Sequence, residues 1–297
     1  MTGDGWSAAV RRQLGLGRVL PLGGPGDGAW LTESAAATVL REAAERVTGV
    51  RLTAVRLDLA DPAATARELS ANGYGSGDTA AVPAPPSALP PGPLGISGDV
   101  AAAAGEPLPV AAARLRTALA AAAADRLGLV VARVDLRVTA LLEEPGAAGA
   151  APGPDAVPDA AEAEPKHTDA GPEDAEAEPK HADAGPEAAG RSGGDLVDGE
   201  KPMDGEEPVA ADADRVARTA RAVPGVTRLT GALGGLGRAV HIEERPAVNA
   251  LPRRHIRLEL AVAADRRALD VARAVRAAVG DALPDHPSVA VLVTAVE

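Results

Sequence analysis

The chain has neither cysteine nor phenylalanine. Without Cys it has no disulfide, no thiolate metal ligand and no thiol nucleophile, which fits a reducing compartment. Trp6, Trp30 and Tyr74 are its only aromatic residues. Its core must therefore be aliphatic, and the stacking platforms that single-stranded nucleic acids use are scarce. No stretch approaches the roughly 20 apolar residues of a membrane span. The start, Met1 to Trp6, lacks the basic residues and apolar run of a signal peptide. Any membrane association is thus expected to be peripheral or through a partner.

What is present is unevenly distributed. Of the 297 residues, 143–207 hold 19 acidic and 4 basic side chains, more than the whole net charge of -12. The remainder is close to neutral and carries no basic footprint for nucleic acid. Segment 143–207 is built from Pro, Ala, Gly, Glu and Asp. It offers too little apolar surface to offset an ordering entropy of about 1–2 kcal/mol per residue, and it reads as a disordered acidic linker. Inside it Ala161–Glu173 recurs as Ala175–Glu187 with one change, Thr168 to Ala182, a 14-residue period. Prolines in each unit exclude a helical solenoid.

On either side of the linker the periodicities are legible. Thr32 or Ser34 is placed to cap a helix reaching about Val47, with Ala36, Val39, Leu40, Ala43 and Val47 on one face. Gly49 ends it, and Val50 to Leu59 alternate as a strand with a slip near Ala54. Residues 61–92 read as a Pro- and Gly-rich loop. Leu94 to Val100 alternate again, a helix runs from about Pro107 to Leu127 and stops at Gly128, and Val134 to Val138 form a last strand. After the linker the same order returns: a helix over 213–222, strands near 226–230, 238–242 and 256–262, a helix over 266–282, and a strand over 289–296.

The expected fold class is therefore α+β. It comprises an N-terminal tail (1–16), one small domain (17–142) and a second (208–297). Each has a three- or four-stranded sheet with two helices on one face, in the order helix–strands–helix–strand. Thr48-Gly49-Val50 and Pro224-Gly225-Val226 echo one another, as do Val138-Thr139-Ala140 and Val293-Thr294-Ala295. Both echoes point to an internal repeat. A single composite domain formed by both halves is the competing arrangement.

Several stretches resemble the alkaline shock protein family of envelope stress response proteins. They are Gly17-Arg18-Val19-Leu20, Trp30-Leu31-Thr32-Glu33-Ser34, Ala43-Ala44-Glu45-Arg46-Val47-Thr48-Gly49-Val50, Val216 to Val226, His255 to Ala263, and Val271-Ala272-Arg273-Ala274-Val275-Arg276. The likeness covers about 17–140 and 211–297, as two divergent copies, and the first copy departs from it by inserting Gly23 to Ala29. It implies a non-enzymatic cytoplasmic protein that self-associates. It also implies contact with a membrane anchor protein or with related stress proteins. The Pro/Ala-rich mixture is also similar to a nucleopolyhedrovirus fibrillar protein, a likeness of composition that implies no mechanism.

Residues that carry chemistry are few. His241, Glu243, Glu244 and His255 form one polar cluster, but their spacing is not a known metal-ligand pattern. His167 and His181 sit in the linker repeats. The run Gly231 to Gly237 lacks both G-x-G-x-x-G and the Lys-Ser/Thr of a P-loop, and reads as a turn. It is the centre of an alternative reading as a small-ligand or RNA-binding module. Arg253, Arg254 and Arg257 form a modest basic cluster for a partner. Trp6, Val10 and Leu14 fall at helical spacing as a short docking stripe. No cofactor, metal or catalytic set is assigned.

Overall fold

The computed structural model describes residues 15–71, 82–85, 87–142, 206–232, 238–247 and 250–297. Trp6, Val10, Leu14, the 14-residue repeat and residues 233–237 of the Gly-rich run lie outside the described residues. The described chain is a mixed α+β structure.

In the first half, strands β1 (Val19–Pro21) and β2 (Ala29–Thr32) precede helix α1 (Glu33–Glu45). Strand β3 (Val50–Leu59), helix α2 (Pro62–Ala71), strand β4 (Leu94–Ala103), helix α3 (Leu108–Ala121) and strand β5 (Val131–Leu142) follow. The second half holds helix α4 (Glu206–Ala222), strands β6 (Val226–Leu229), β7 (Val240–Ala247) and β8 (Ala250–Val262), helix α5 (Ala268–Ala282) and strand β9 (Ser288–Val296).

The two halves share one topology. β4 pairs antiparallel with β3 and parallel with β5. β8 pairs antiparallel with β6 and β7 and parallel with β9. Each parallel pair is joined by a helical crossover, α3 or α5. The sequence echoes fall at matching places. Gly49 and Gly225 both take a left-handed backbone (φ 77° and 97°), and their carbonyls accept from Ala103 and Ala263, each at 2.8 Å. The parallel registers step over Thr139 in one half and Thr294 in the other, so both threonines mark the same irregularity.

The two halves also share a sheet. β2 adds in parallel to β9, pairing Trp30 with Leu292, and gives a sheet of order β1-β2-β9-β8-β6 in which β7 also pairs β8. The second sheet is β3-β4-β5. One buried cluster runs through both, from Leu20, Val39 and Ile96 to Ile256, Val275 and Val293. The described residues before and after the acidic segment thus fall in one compact unit. Within it the regions 17–142 and 208–297 share this sheet and this cluster. The physical reason is that β9 would otherwise present a bare apolar edge, which the β1–β2 hairpin covers.

Local chemistry explains the elements. Thr32 caps α1, its hydroxyl accepting from Ala35 N at 3.4 Å. The same hydroxyl donates to Thr294 O (3.2 Å), which ties the cap to β9. The Glu33 carboxylate accepts from Arg18 N (3.3 Å) and Leu57 N (3.1 Å), holding β1 and β3 to the start of α1. The expected stripes are the ones buried: Ala36, Val39, Leu40 and Ala43 on α1, and Leu269, Val271, Ala272, Val275 and Val279 on α5. The loop expected over 61–92 contains α2, because Asp61 accepts from Ala64 N (2.8 Å) ahead of Pro62, a favourable first-turn proline. α4 begins at Glu206, earlier than the expected 213 and inside the acidic segment. The inserted turn at 23–28 holds α5: Asp27 takes a two-pronged ion pair from Arg273, and Arg276 Nη1 donates to Gly26 O at 2.5 Å.

Candidate functional site

Strand pairing sorts the polar residues of β7 and β8 by face. His241, Glu243 and Arg245 oppose Arg257, His255 and Arg253, so all six share one face of the β7–β8 ladder. His255 is buried and bonded through Nδ1 to Ser288 Oγ at 2.9 Å. Burial, reinforced by Arg245, pushes its ring down to about 4, so it is neutral near pH 7. His241 Nε2 bonds to Arg238 O instead, at 3.0 Å. The cluster read from the sequence therefore does share a face, with the exception of Glu244, which pairs Arg254 on the other side. No group of three His, Asp or Glu side chains able to hold a metal ion lies among the described residues.

The expected arginine cluster is split. Arg254 points to the helix side, where Nη1 meets Asp212 of α4 (2.5 Å) and Nε and Nη2 grip Asp285 (2.6 and 2.5 Å). Its carboxylate partner Asp285 is held below its ordinary range by that grip. Arg254 is an internal clamp rather than a free contact for a partner. Arg253 is exposed, and Arg257 is half-buried with its Nε shielded and unbonded. One spacing in sequence put three arginines together, and strand alternation separates them.

The Gly-rich run begins over the same face. Ala232 N donates to the buried Glu259 carboxylate at 2.5 Å, and Glu259 N donates to Ala239 O at 2.9 Å. A groove of about 850 Å³ opens between α4 and strands β6 and β7, lined among others by Asp214, Arg221, Arg238, His241 and Glu243. Its charges are of both signs.

Strand β5 was not singled out by the sequence. It is the outer strand of the second sheet, and among the described residues nothing pairs with its far edge. Val130 is 54 % exposed, Val138 40 % and Leu141 64 %. Leu108 and Val110, at the start of α3, are also exposed. They follow closely on Ala103, which pairs with Leu142 at the end of β5. Arg133, Asp135 and Arg137 alternate along its open face beside Gly95, Ser97 and Asp99. The matching strand of the other half, β9, has the same edge filled by β2. No local pattern in the sequence distinguished the two copies in this respect: among the described residues only the second finds a strand to pair beyond its last one.

Compared with known proteins, the chain matches no family model, no curated protein and no solved structure. No helix long and apolar enough to cross a membrane lies among the described residues.

Proposed function

We propose that this protein is a binding and scaffolding protein of envelope stress response type. It acts through protein–protein contacts in the cytoplasm, held near the membrane by a partner, without chemistry of its own. The observation that carries the reading is the free edge of β5 with its exposed apolar neighbours, set against the filled edge of β9. A strand edge recognises another polypeptide through its backbone groups, with side chains setting specificity. The resemblance to the alkaline shock family supports the same class of function, and its motifs fall on caps, turns and packed faces here.

The test is affinity purification from native cells after membrane solubilisation, comparing the wild type with Leu136→Pro, which removes a strand donor. Recovery of a membrane protein or stress protein by the wild type alone is expected. Identical recovery by both would take the contact away from β5. Recovery of RNA or of a soluble metabolic complex alone would overturn the reading. Such a result would favour a ligand-binding role for the groove beside the Gly-rich run, whose Arg221 and Arg238 are the observation in its favour.

A further inference from the structure

Resting on that reading of β5 as a docking edge, we propose that its occupant is a second copy of this chain, paired antiparallel through β5 about a two-fold axis at Leu136. An isologous contact needs a surface that complements itself. In this register Leu136 faces its own copy and Val134 faces Val138. Asp135 faces Arg137 of the second copy, and the same pair recurs across the axis. The charges all lie on the open face and the apolar residues on the helix face, as alternation in β5 requires. A two-fold at Asp135 would oppose Asp135 to itself and Arg133 to Arg137, and like charges directly opposite destabilise a pair. A two-fold at Val134 pairs Arg133 with Asp135 but leaves Arg137 against Val131, whereas at Leu136 the remaining Arg133 faces the polar Thr139. The alternating signs thus exclude the two-fold at Asp135, and the residue opposite the remaining arginine favours Leu136 over Val134.

Two further observations agree. Val138 and Leu141, exposed in the monomer, sit on the strand that pairing covers, so the contact removes apolar surface from water as well as filling the backbone edge. In the other copy of the internal repeat the matching edge is filled by a strand, there in parallel. Thr139 matches Thr294, so Leu136–Val138 match Val291–Val293, the residues of β9 that pair with β2. On the described side Arg116 Nε donates to Val134 O at 3.2 Å, an exposed contact that a new strand would share or displace.

The experiment is sedimentation of the full chain over concentrations reaching about 100 μM. The wild type is expected to reach twice the monomer mass. Asp135→Arg and Arg137→Asp are each expected to weaken the dimer at least tenfold, because each turns two favourable cross-strand pairs repulsive. Mixing the two variants should restore a heterodimer, since the paired arginines of one variant then face the paired aspartates of the other. That restoration needs both variants folded, so loss through misfolding cannot imitate it. The absence of Cys allows a second readout. Opposed antiparallel residues have Cα atoms about 4.5–5.5 Å apart, within disulfide reach. Leu136→Cys should therefore cross-link to itself on mild oxidation, and Val134→Cys should not. A wild type that stays monomeric, a dimer indifferent to Asp135→Arg, or cross-linking at 134 rather than 136 would each overturn the proposal. If the wild type is monomeric yet partner capture from cells still depends on β5, the second copy is wrong and the scaffold reading stands.

Discussion

Asp27 and Arg273, 246 residues apart, meet in a two-pronged ion pair with Nε–Oδ1 at 2.8 Å and Nη2–Oδ2 at 3.0 Å. The same carboxylate accepts from Gly24 N at 2.7 Å, so it braces its own turn while gripping α5. Arg273 holds the Asp27 carboxyl below its ordinary range. The pair fastens the β1–β2 hairpin over the edge of β9.

The first prediction concerns the halves. Expressed alone, residues 208–297 leave Val291, Leu292 and Val293 without β2 on their outer edge, and 1–145 lose the sheet that β1 and β2 join. Each fragment should show little cooperative unfolding by itself, and an equimolar mixture should regain the unfolding transition of the intact chain. Fragments that melt cooperatively alone would show that the composite core is not required. In the intact chain Asp27→Ala should cost about 1 kcal/mol, the scale of a partly exposed pair with added hydrogen bonds.

A second prediction rests on Gly128. Its φ is 89°, and an added Cβ would lie 2.5 Å from Leu269 Cβ of α5. Gly128→Ala forces a left-handed alanine and an overlap in the core at once, for a loss of about 3 kcal/mol in urea unfolding. Gly280, where an added Cβ meets nothing within 4 Å, should tolerate Ala with little change or a small gain.

The third concerns Arg254. Its guanidinium bridges Asp212 and Asp285 and is 22 % exposed. Arg254→Met should destabilise by about 2 kcal/mol by leaving two carboxylates facing each other without their cation. The additional change Asp285→Asn should recover part of that loss. A neutral Arg254→Met would show the clamp to be idle.

His255 sets a pH dependence. Its folded value is near 4 and its unfolded value near 6.5, so between these limits the unfolded chain binds more protons. Stability should therefore fall as pH drops from about 6.5 towards 4, with a slope approaching one proton. His255→Gln should flatten the slope in that window while leaving the fall due to Asp27 and Asp285 at lower pH, where carboxylates held low in the fold become protonated.

Much of the architecture was legible in the residues. The apolar stripes of α1 and α5 appeared at helical spacing and are the buried ones. The slip in register expected near Ala54 is present, between Leu52 and Ala54. The repeat was visible in two short echoes because both encode backbone geometry, a left-handed glycine and a strand irregularity, that recurs with the topology. α2 was hidden because its helix signal, Asp61-Pro62, opens a segment whose composition is that of a loop. Arg254 parts from Arg253 and Arg257 because neighbours in sequence on a strand are on opposite faces in space.

By itself the sequence determined the local order of helices and strands, the aliphatic nature of the core and the place of the acidic segment. Those depend on spacing, charge and propensity within a few turns of chain. Only the tertiary structure decided that β2 joins β9, that the halves share one core and that β5 gains no further strand among the described residues. Strand pairing is a choice among distant partners whose edges all offer the same backbone groups. It is settled by which apolar surfaces can be covered together, and no local pattern records that.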